Sequence, residues 1–306
     1  RIEGPGYLVH RQKVYGGKSY TVLIVWQELS AGITEGSWTV SGAQQDTGLP
    51  GLENSVNEAP ACGFDAAFND HCKWWSAFWN NSSLSLPDSL LEIQWYREIY
   101  KFGSSSRKGT PPVTLQAVWT ADNGKLPPWK GDYHNDLNTQ LSYWPGYSSN
   151  HLEEASAFTD WIIANREVAA SYTRRYFHCN GLNYPGVSTI DGSPMGGWIQ
   201  YALSPTVSAW LAHHVYLQWK YSMDTAYLSQ VAWPFVKDVL DFVEALAIEK
   251  EGFRQLPLSS SPEINDNSPS AWFSRTTNFD LALVRWLHGA AAEMATALGR
   301  PGAAKD

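Results

Sequence analysis

The chain has 306 residues and a formal net charge of −8, with 43% hydrophobic and 17% charged residues. This composition is typical of a globular protein with a sizeable buried core, and it excludes an intrinsically disordered chain. No cluster of lysine and arginine forms the basic stripe that a phosphate backbone requires, so we expect no nucleic-acid partner. No run of 18 apolar residues is present, and we expect no membrane partner.

Aromatic residues are unusually frequent, with 16 Trp and 15 Tyr. Both side chains combine a flat apolar face with a polar edge, which suits them to half-exposed grooves. The C–H faces of a pyranose stack on such rings, while its hydroxyl groups need polar side chains around them. A carbohydrate ligand and a merely well-packed aromatic core are both consistent with this composition.

The termini and cysteines say little about cofactors or compartment. Residues 1–4 contain neither an initiator Met nor a signal peptide, so we expect the sequence to begin inside a longer polypeptide. Cys62, Cys72 and Cys179 lack metal-ligand spacing, and we expect neither metal nor cofactor. Residues 80–82 fit the glycosylation acceptor pattern, and an extracellular or periplasmic location is favoured over others.

The N-terminal part alternates in the manner of β-strands. Strands are predicted at 7–10, 20–26 and 37–40, with a hairpin turn at Gly16-Gly17. A stretch rich in Gly, Pro, Asn and Gln at 41–60 is predicted to be a linker. These residues form the first expected segment, 1–62.

The remainder, 63–306, has helical periodicity and is expected to be the catalytic domain. Pro87-Asp88-Ser89 is predicted to open a helix that ends near Phe102. Further helices are predicted at about 151–178, 206–222, 231–249 and 275–298. Long Gly- and Pro-rich loops separate these helices, and loops of that length usually carry function.

One such loop, 127–145, is dense in polar and aromatic residues. Four polar residues in it fall two positions apart: Asp132, His134, Asp136 and Asn138. In an extended segment all four would point to one side and form a hydrogen-bonding comb. The alternative is an Asx-rich turn that enters a helix, with polar side chains satisfying the backbone.

A second loop, 256–267, carries Ser261-Pro262-Glu263. These residues fit an N-cap, a first-turn proline and a first-turn acid that complements the helix dipole. In an otherwise neutral pocket walled by loops, the same carboxyl group would serve as the general acid that a glycosidic oxygen requires. Both roles are compatible.

The third segment runs from Gly192 to Thr206 and leads into a helix with His213 and His214. His214 shares a helical face with apolar residues, which favours a buried structural histidine. The two histidines are adjacent and point apart, which argues against a shared metal. A nucleophile elbow, a phosphate loop and an H-E-x-x-H motif are all missing from the sequence.

Five ordered motifs together resemble the family 95 glycoside hydrolases, the α-L-fucosidase and α-L-galactosidase family. They are Leu115-Gln116-Ala117-Val118-Trp119-Thr120; Pro127-Pro128-Trp129-Lys130-Gly131-Asp132-Tyr133-His134; Asn138, Gln140 and Tyr143-Trp144-Pro145; Ser204-Pro205-Thr206 with Ala209-Trp210-Leu211 and His214; and Ser259-Ser260-Ser261-Pro262-Glu263. The resemblance extends over about 65–298, and 7–43 are similar to the end of the family's N-terminal β-sandwich.

The resemblance implies a mainly α fold, an (α/α)6-barrel-like, incomplete helical toroid with a short N-terminal β-sandwich remnant. About half of the barrel and most of the sandwich would lie outside this chain, so the missing remainder of the same polypeptide is a possible partner. The activity implied is inverting, exo-acting hydrolysis of terminal α-L-fucosyl or α-L-galactosyl residues from an oligosaccharide or glycoconjugate.

The resemblance also implies residue roles. Glu263 would be the general acid, while Asp136 and Asn138 would hold the attacking water, with carboxyl groups about 6.5–9.5 Å apart. The family has asparagine where this chain has Asp136, and an aspartate there could itself accept a proton. The family's base aspartate lies in a later segment, beyond residue 306. The residues chosen for sugar contacts are His134, Trp198, Thr206 and His214.

Three alternatives remain open at this point. The same toroid supports α-L-rhamnoside hydrolysis and disaccharide phosphorolysis, and only a phosphorylase needs added phosphate. The chain could instead be a non-catalytic carbohydrate-binding fragment, which a ligand would stabilise without turnover.

Overall fold

The computed structural model describes residues 1–13, 19–42, 48–117, 129, 131–265, 267–300 and 302, with the backbone alone for 48–62. The chain divides into two compact units, Arg1–Asn80 and Asn81–Asp306. The sequence placed this division at residue 62, whereas in the structure the helix that follows the strands belongs to the first unit. The predicted turn at Gly16-Gly17 lies outside the described residues, as do 118–128 and residue 130 of the motifs.

The first unit contains a four-stranded antiparallel sheet whose strands lie in chain order. The strands are β1 (Ile2–Gly4), β2 (Tyr7–Lys13), β3 (Ser19–Ser30) and β4 (Ile33–Ser41). Val9 on β2 faces Leu23 on β3, and Val25 packs against this buried pair. The three strands predicted at 7–10, 20–26 and 37–40 are confirmed, and alternation places Val9, Leu23 and Val25 on the buried face.

Helix α1 (Gly48–Trp79) completes the first unit. The linker predicted for 41–60 is wrong from Gly48 onward, where the backbone is helical. Pro50 falls in the first turn, where a missing N–H removes no intrahelical hydrogen bond. Gly63 interrupts the helix with φ 68° and ψ 162°. Beside it the Phe64 N–H donates to Glu35 Oε1 at 2.8 Å, which ties the second half of α1 to the sheet.

The second unit is mainly helical. Its helices are α2 (Ser89–Ser105), α3 (Asn138–Ser148), α4 (Leu152–Ala164), α5 (Arg166–Phe177), α6 (Ile199–Ala202), α7 (Val207–Ser222), α8 (Thr225–Tyr227), α9 (Trp233–Leu246) and α10 (Asn278–Ala297). Two small hairpins accompany them, β5 (Tyr133–His134) with β6 (Val187–Ser188), and β7 (Ile248–Lys250) with β8 (Phe253–Gln255). Helix α7 packs against α3, α4, α9 and α10, so the core of this unit surrounds it.

Most of the predicted helices are confirmed. Helix α2 begins as predicted, because the Asp88 carboxylate accepts from the backbone N–H groups of Leu90 and Leu91 and caps the helix. The single helix predicted at 151–178 is two helices, α4 and α5, which meet at Asn165. Helix α3 was anticipated only as the helix that an Asx-rich turn would enter, without predicted bounds, and Pro145 lies inside it. Tyr143 and Tyr147, one turn apart on α3, are fully buried and anchor it to the core.

Within the described residues, no helix combines the length and the apolar character needed to cross a bilayer.

Candidate active site

A cavity of about 420 Å³ lies in the second unit. Its lining residues are Leu115, Trp129, Asp132, His134, Asp136, Asn138, Val187, Met195, Gly196, Gly197, Trp198, Tyr201 and Glu263. Carboxylates, an amide and an imidazole thus share one cavity with tryptophan and tyrosine rings. This combination of polar groups and flat apolar faces suits a ligand that has many hydroxyl groups.

The β5–β6 hairpin positions one wall of the cavity. Tyr133 pairs with Ser188 and His134 pairs with Val187. Side chains alternate along a strand, so Tyr133 turns into the core, where its ring stacks on Trp161 with centroids 5.0 Å apart. His134 consequently faces the cavity, beside Val187.

A turn anchored by buried Asn135 continues this wall. The Asn135 N–H donates to Gly186 O at 2.7 Å, and its Nδ2 donates to Pro185 O at 3.1 Å. The Thr139 hydroxyl donates to His134 O at 2.9 Å and closes the turn against the start of α3. Asn135 fills the core side of the turn, so Asp136 is left on the cavity side.

All four residues of the predicted comb line the cavity. The segment is extended only at β5, however, and Asn138 is the first residue of α3. The two readings of this loop therefore both hold. A polar turn does enter a helix, and it also presents its alternate side chains to one cavity.

Asp136 is the buried carboxylate of this wall, with 8% of its surface exposed. Burial raises its pKa, and the negative charge of Glu263 raises it further, while a backbone hydrogen bond and His134 act in the opposite direction. Its Oδ1 has no hydrogen-bond partner among the described residues. An oxygen in this condition can accept a hydrogen bond from water or from a ligand hydroxyl.

His134 has neighbours on both sides within the cavity. Its Nε2 lies 3.3 Å from Asp132 Oδ1, an ion-pair distance when the imidazole is protonated. The Trp129 ring lies 5.8 Å from the His134 ring in an edge-on arrangement. These contacts fix the orientation of the imidazole at the edge of the cavity.

The facing wall is the segment from Met195 to Trp198. Gly196 and Gly197 have φ values of 81° and 100°, which glycine adopts readily. Trp198 stacks on Tyr201 of α6, with centroids 5.5 Å apart and an interplanar angle of 14°. Trp198 is 37% exposed, so one face of the indole remains available to a ligand.

Glu263 enters the cavity from the second predicted loop, which precedes α10. The helix predicted to begin at Ser261-Pro262 is wrong, since these residues form a turn in which the Ile264 N–H reaches Ser261 O at 3.3 Å. Glu263 has φ 59°, a left-handed conformation that a helix cannot continue. The side chain is exposed to solvent yet lines the same cavity as Asp136.

Two of the predicted sugar contacts do not line this cavity. Thr206 is fully buried, and its hydroxyl donates to Asp280. His214 is also fully buried, with Nδ1 3.1 Å from the Tyr147 hydroxyl, and burial holds its pKa well below the usual value. Both side chains belong to the interior, as the helical face of His214 indicated.

Asp280 is a residue of this region that sequence reasoning missed. It is a fully buried carboxylate on α10 that binds the loop carrying Glu263. The N-cap Thr277, three positions earlier, forms a threonine–aspartate capping pattern that could have identified it. Among the described residues, no group of three or more His, Cys, Asp or Glu side chains could hold a metal ion.

Comparisons with known proteins identify the family to which the chain belongs. The model of the "Glycosyl hydrolase family 95 catalytic domain" matches residues 80–306. "Alpha-L-fucosidase 2" of Arabidopsis thaliana is 30% identical over 203 residues, which cover 64% of this chain and 24% of that protein. "Probable alpha-fucosidase A" of Aspergillus niger is 26% identical over 264 residues, which cover 77% of this chain and 32% of that protein. The chain thus spans about a quarter to a third of these relatives.

A solved structure is similar in fold. The protein described as "Putative kojibiose phosphorylase from human microbiome" superimposes with a TM-score of 0.67 at 10% identity, and covers 99% of this chain and 46% of that chain. At this identity the likeness concerns the fold alone. The fold is mainly α and (α/α)6-barrel-like, with a small N-terminal antiparallel sheet, as the sequence predicted.

Proposed function

The chain belongs to glycosyl hydrolase family 95, and from this we infer that its cavity binds a terminal α-L-fucosyl or α-L-galactosyl residue and hydrolyses its glycosidic bond with inversion. The observation that carries the proposal is that Asp136 and Glu263 line one cavity and interact electrostatically. Inverting glycosidases use one carboxylic acid to protonate the leaving oxygen and a second group to activate water on the opposite face.

Glu263 is suited to the acid role. Its side chain is exposed at the cavity, so it can recover a proton from solvent after each turnover. In the proposed step the Glu263 carboxyl gives its proton to the glycosidic oxygen, the bond between that oxygen and the anomeric carbon breaks, and the aglycone leaves as an alcohol.

Asp136 is suited to the opposite role. A raised pKa makes an ionised carboxylate a stronger base, and its unpartnered Oδ1 is free to accept a hydrogen bond from water. Asn138 lies beside it and can orient the same water through its amide. The water oxygen then bonds to the anomeric carbon from the side opposite the leaving group, and Asp136 takes the released proton.

The sugar would be held by an aromatic face on one side and polar groups on the other. Trp198 offers a half-exposed indole for stacking against the C–H face, and His134 offers a polar ring for a hydroxyl group. The names of both curated relatives refer to fucosidases, which supports fucose as the first sugar to test. Their sequences extend well beyond the region matched here.

The decisive experiment is to incubate the chain with an aryl α-L-fucoside and with a fucosylated oligosaccharide, and to follow the products by proton NMR. We expect β-L-fucose to form first and then to mutarotate, which is the signature of inversion. Initial release of α-L-fucose would refute the inverting mechanism. Formation of a sugar phosphate only when phosphate is added would identify a phosphorylase instead. Stabilisation by fucose without any release of product would identify a binding module.

A further inference from the structure

Asp280 combines deep burial with a purely neutral set of donors. Its side chain is fully buried in the first turn of α10. Oδ1 accepts a hydrogen bond from the Thr206 hydroxyl, while Oδ2 accepts from the Ser259 hydroxyl and from the Ser260 N–H at 3.2 Å. Neither lysine nor arginine is among the partners that the structure describes for this carboxylate. Burying a charge in this way is costly unless hydrogen bonds offset the lost hydration.

The cap of α10 does not require such burial. Thr277 already accepts from the Asp280 N–H at 3.3 Å, as an N-cap does. The Thr277 N–H donates to the Ser259 hydroxyl at 2.8 Å. In a capping box it would donate to the Asp280 carboxylate instead. The carboxylate is thus left to bind the neighbouring loop.

That loop is held at two consecutive residues, Ser260 by the N-cap of α10 and Ser259 by the segment that precedes the helix. The Thr277 hydroxyl donates to Ser260 O at 2.7 Å, and Ser259 exchanges two backbone hydrogen bonds with Phe273, at 3.0 and 2.8 Å. Beyond Ser260 the chain enters the exposed turn that carries Glu263. The last fixed point before the acid is therefore the pair of serines bound to Asp280.

The same carboxylate also binds Thr206, in the segment that follows the facing wall of the cavity. Thr206 directly precedes α7 and follows the α6 segment that supports Trp198. A second hydrogen bond joins the loop of Glu263 to the wall of Trp198. In it the Asn267 Oδ1 accepts from the Ile199 N–H at 2.9 Å. Asp280 thus connects the loop that carries Glu263 to the segment between α6 and α7.

We propose that Asp280 is a positioning residue that fixes Ser259 and Ser260 and thereby holds the Glu263 carboxyl group at the cavity. The chemical meaning of this inference rests on the proposed function, since Glu263 acts as a general acid only where a glycosidic bond is cleaved. The structural part of the inference, that Asp280 orders the loop, does not depend on the proposed function. Burial raises the pKa of Asp280, while its three hydrogen bonds act in the opposite direction. This balance is consistent with a carboxylate that is held in place by neutral donors.

The first test measures order without turnover. In Asp280→Asn one acceptor becomes a donor, so the two serines lose part of their anchor. Ser259→Ala removes the hydroxyl that donates to Asp280 and accepts from the Thr277 N–H. Hydrogen–deuterium exchange should speed up about tenfold or more in 259–265 in both variants, while α7 and α10 stay protected. The control is Asp241→Asn on the exposed face of α9. Unchanged exchange in the loop, or equal loosening of both helices, would overturn the proposal.

The second test separates positioning of the acid from general damage. A dinitrophenolate leaving group needs no proton, whereas an alkoxide does. Asp280→Asn should lower kcat/KM about tenfold or more on methyl α-L-fucoside and much less on 2,4-dinitrophenyl α-L-fucoside. Equal losses on both substrates would reject the link to Glu263. If the unaltered chain cleaves neither, the hydrolase proposal fails, and the exchange measurement alone decides whether Asp280 orders the loop.

Discussion

Asp136 and Glu263 approach one cavity from different loops, and the pKa of Asp136 is raised by burial and then by the negative charge of Glu263. Under the proposed function, Glu263 gives a proton to the leaving oxygen and Asp136 receives one from the attacking water.

Replacing Glu263 by Gln should remove the proton donor and leave the fold intact. General acid catalysis contributes about 10²- to 10⁴-fold, so kcat/KM on an alkyl α-L-fucoside should fall by that order. The thermal midpoint should stay the same, since the side chain is exposed. A matched control is Glu251→Gln, because Glu251 is also exposed and left-handed, with φ 55°, but does not line the cavity. Near-normal turnover by Glu263→Gln would exclude it as the acid.

Replacing Asp136 by Asn should stabilise the protein in a pH-dependent manner. The folded carboxyl has a raised pKa, so between the ordinary value of 3.8 and the raised value it holds a proton that the unfolded chain has lost. The stability of the unaltered protein therefore falls as pH rises through this window, whereas an amide does not titrate. The advantage of the variant should be near zero at the acid end of this window and should grow towards neutral pH.

Thermal midpoints measured across that pH range would check the sign. Asp241→Asn serves as the control for loss of a surface charge, since its carboxylate is exposed and pairs with Lys237. An advantage of Asp136→Asn that shrinks towards neutral pH would contradict the assignment of Asp136 as a carboxyl with a raised pKa.

Replacing Trp198 by Ala should weaken sugar binding more than it slows chemistry. An aromatic stacking contact is worth about 1 kcal/mol, so KM or Kd for fucose should rise roughly five- to tenfold, with a smaller change in kcat. Trp144 has the same exposed fraction as Trp198, 37%, but does not line the cavity. Trp144→Ala should leave affinity unchanged in an isothermal titration. Equal losses from both variants would argue against stacking on Trp198.

Gly186 and Gly289 should respond oppositely to alanine. A Cβ at Gly186 would lie 1.9 Å from the backbone oxygen of Tyr201, so the support of Trp198 must shift, at a cost of about 1–3 kcal/mol. A Cβ at Gly289 meets nothing within 4 Å, and alanine inside α10 should stabilise the protein by about 1 kcal/mol. Denaturant unfolding of both variants measures the two signs. A Gly186→Ala variant of full stability would show that the wall is not tightly packed.

Local patterns predicted most of the regular structure. Strands β2 to β4 follow from alternation, and α2 follows from the cap at Asp88, because these signals act over a few residues. The linker predicted at 41–60 failed because composition does not exclude a helix when Pro50 occupies its first turn. The extent of helix α3 was not predicted, because burial of Tyr143 and Tyr147 outweighs the effect of Pro145.

The site was predicted unevenly for a similar reason. Asp136, Asn138, His134, Trp198 and Glu263 all line the cavity. The family motifs contain His134, Asn138 and Glu263, whereas Trp198 lies in none of them. Thr206 and His214 carry the right chemistry but turn inward. The helical face of His214 favoured burial whereas its choice as a sugar contact did not, and the structure agrees with the helical face. Asp280 escaped notice because its partners, Thr206 and Ser259, are brought to it only by tertiary structure.

The left-handed backbone at Glu263 and Asn265 bears on how such a chain would change over generations. Asparagine tolerates this conformation, whereas a glutamate held there costs about 1–2 kcal/mol. In a lineage released from selection for turnover, drift at codon 263 should therefore run toward glycine or asparagine before the fold decays. If the proposed roles hold, such descendants would be more stable and would lack the acid while keeping the Trp198 wall, so a sugar-binding protein without turnover lies one substitution away.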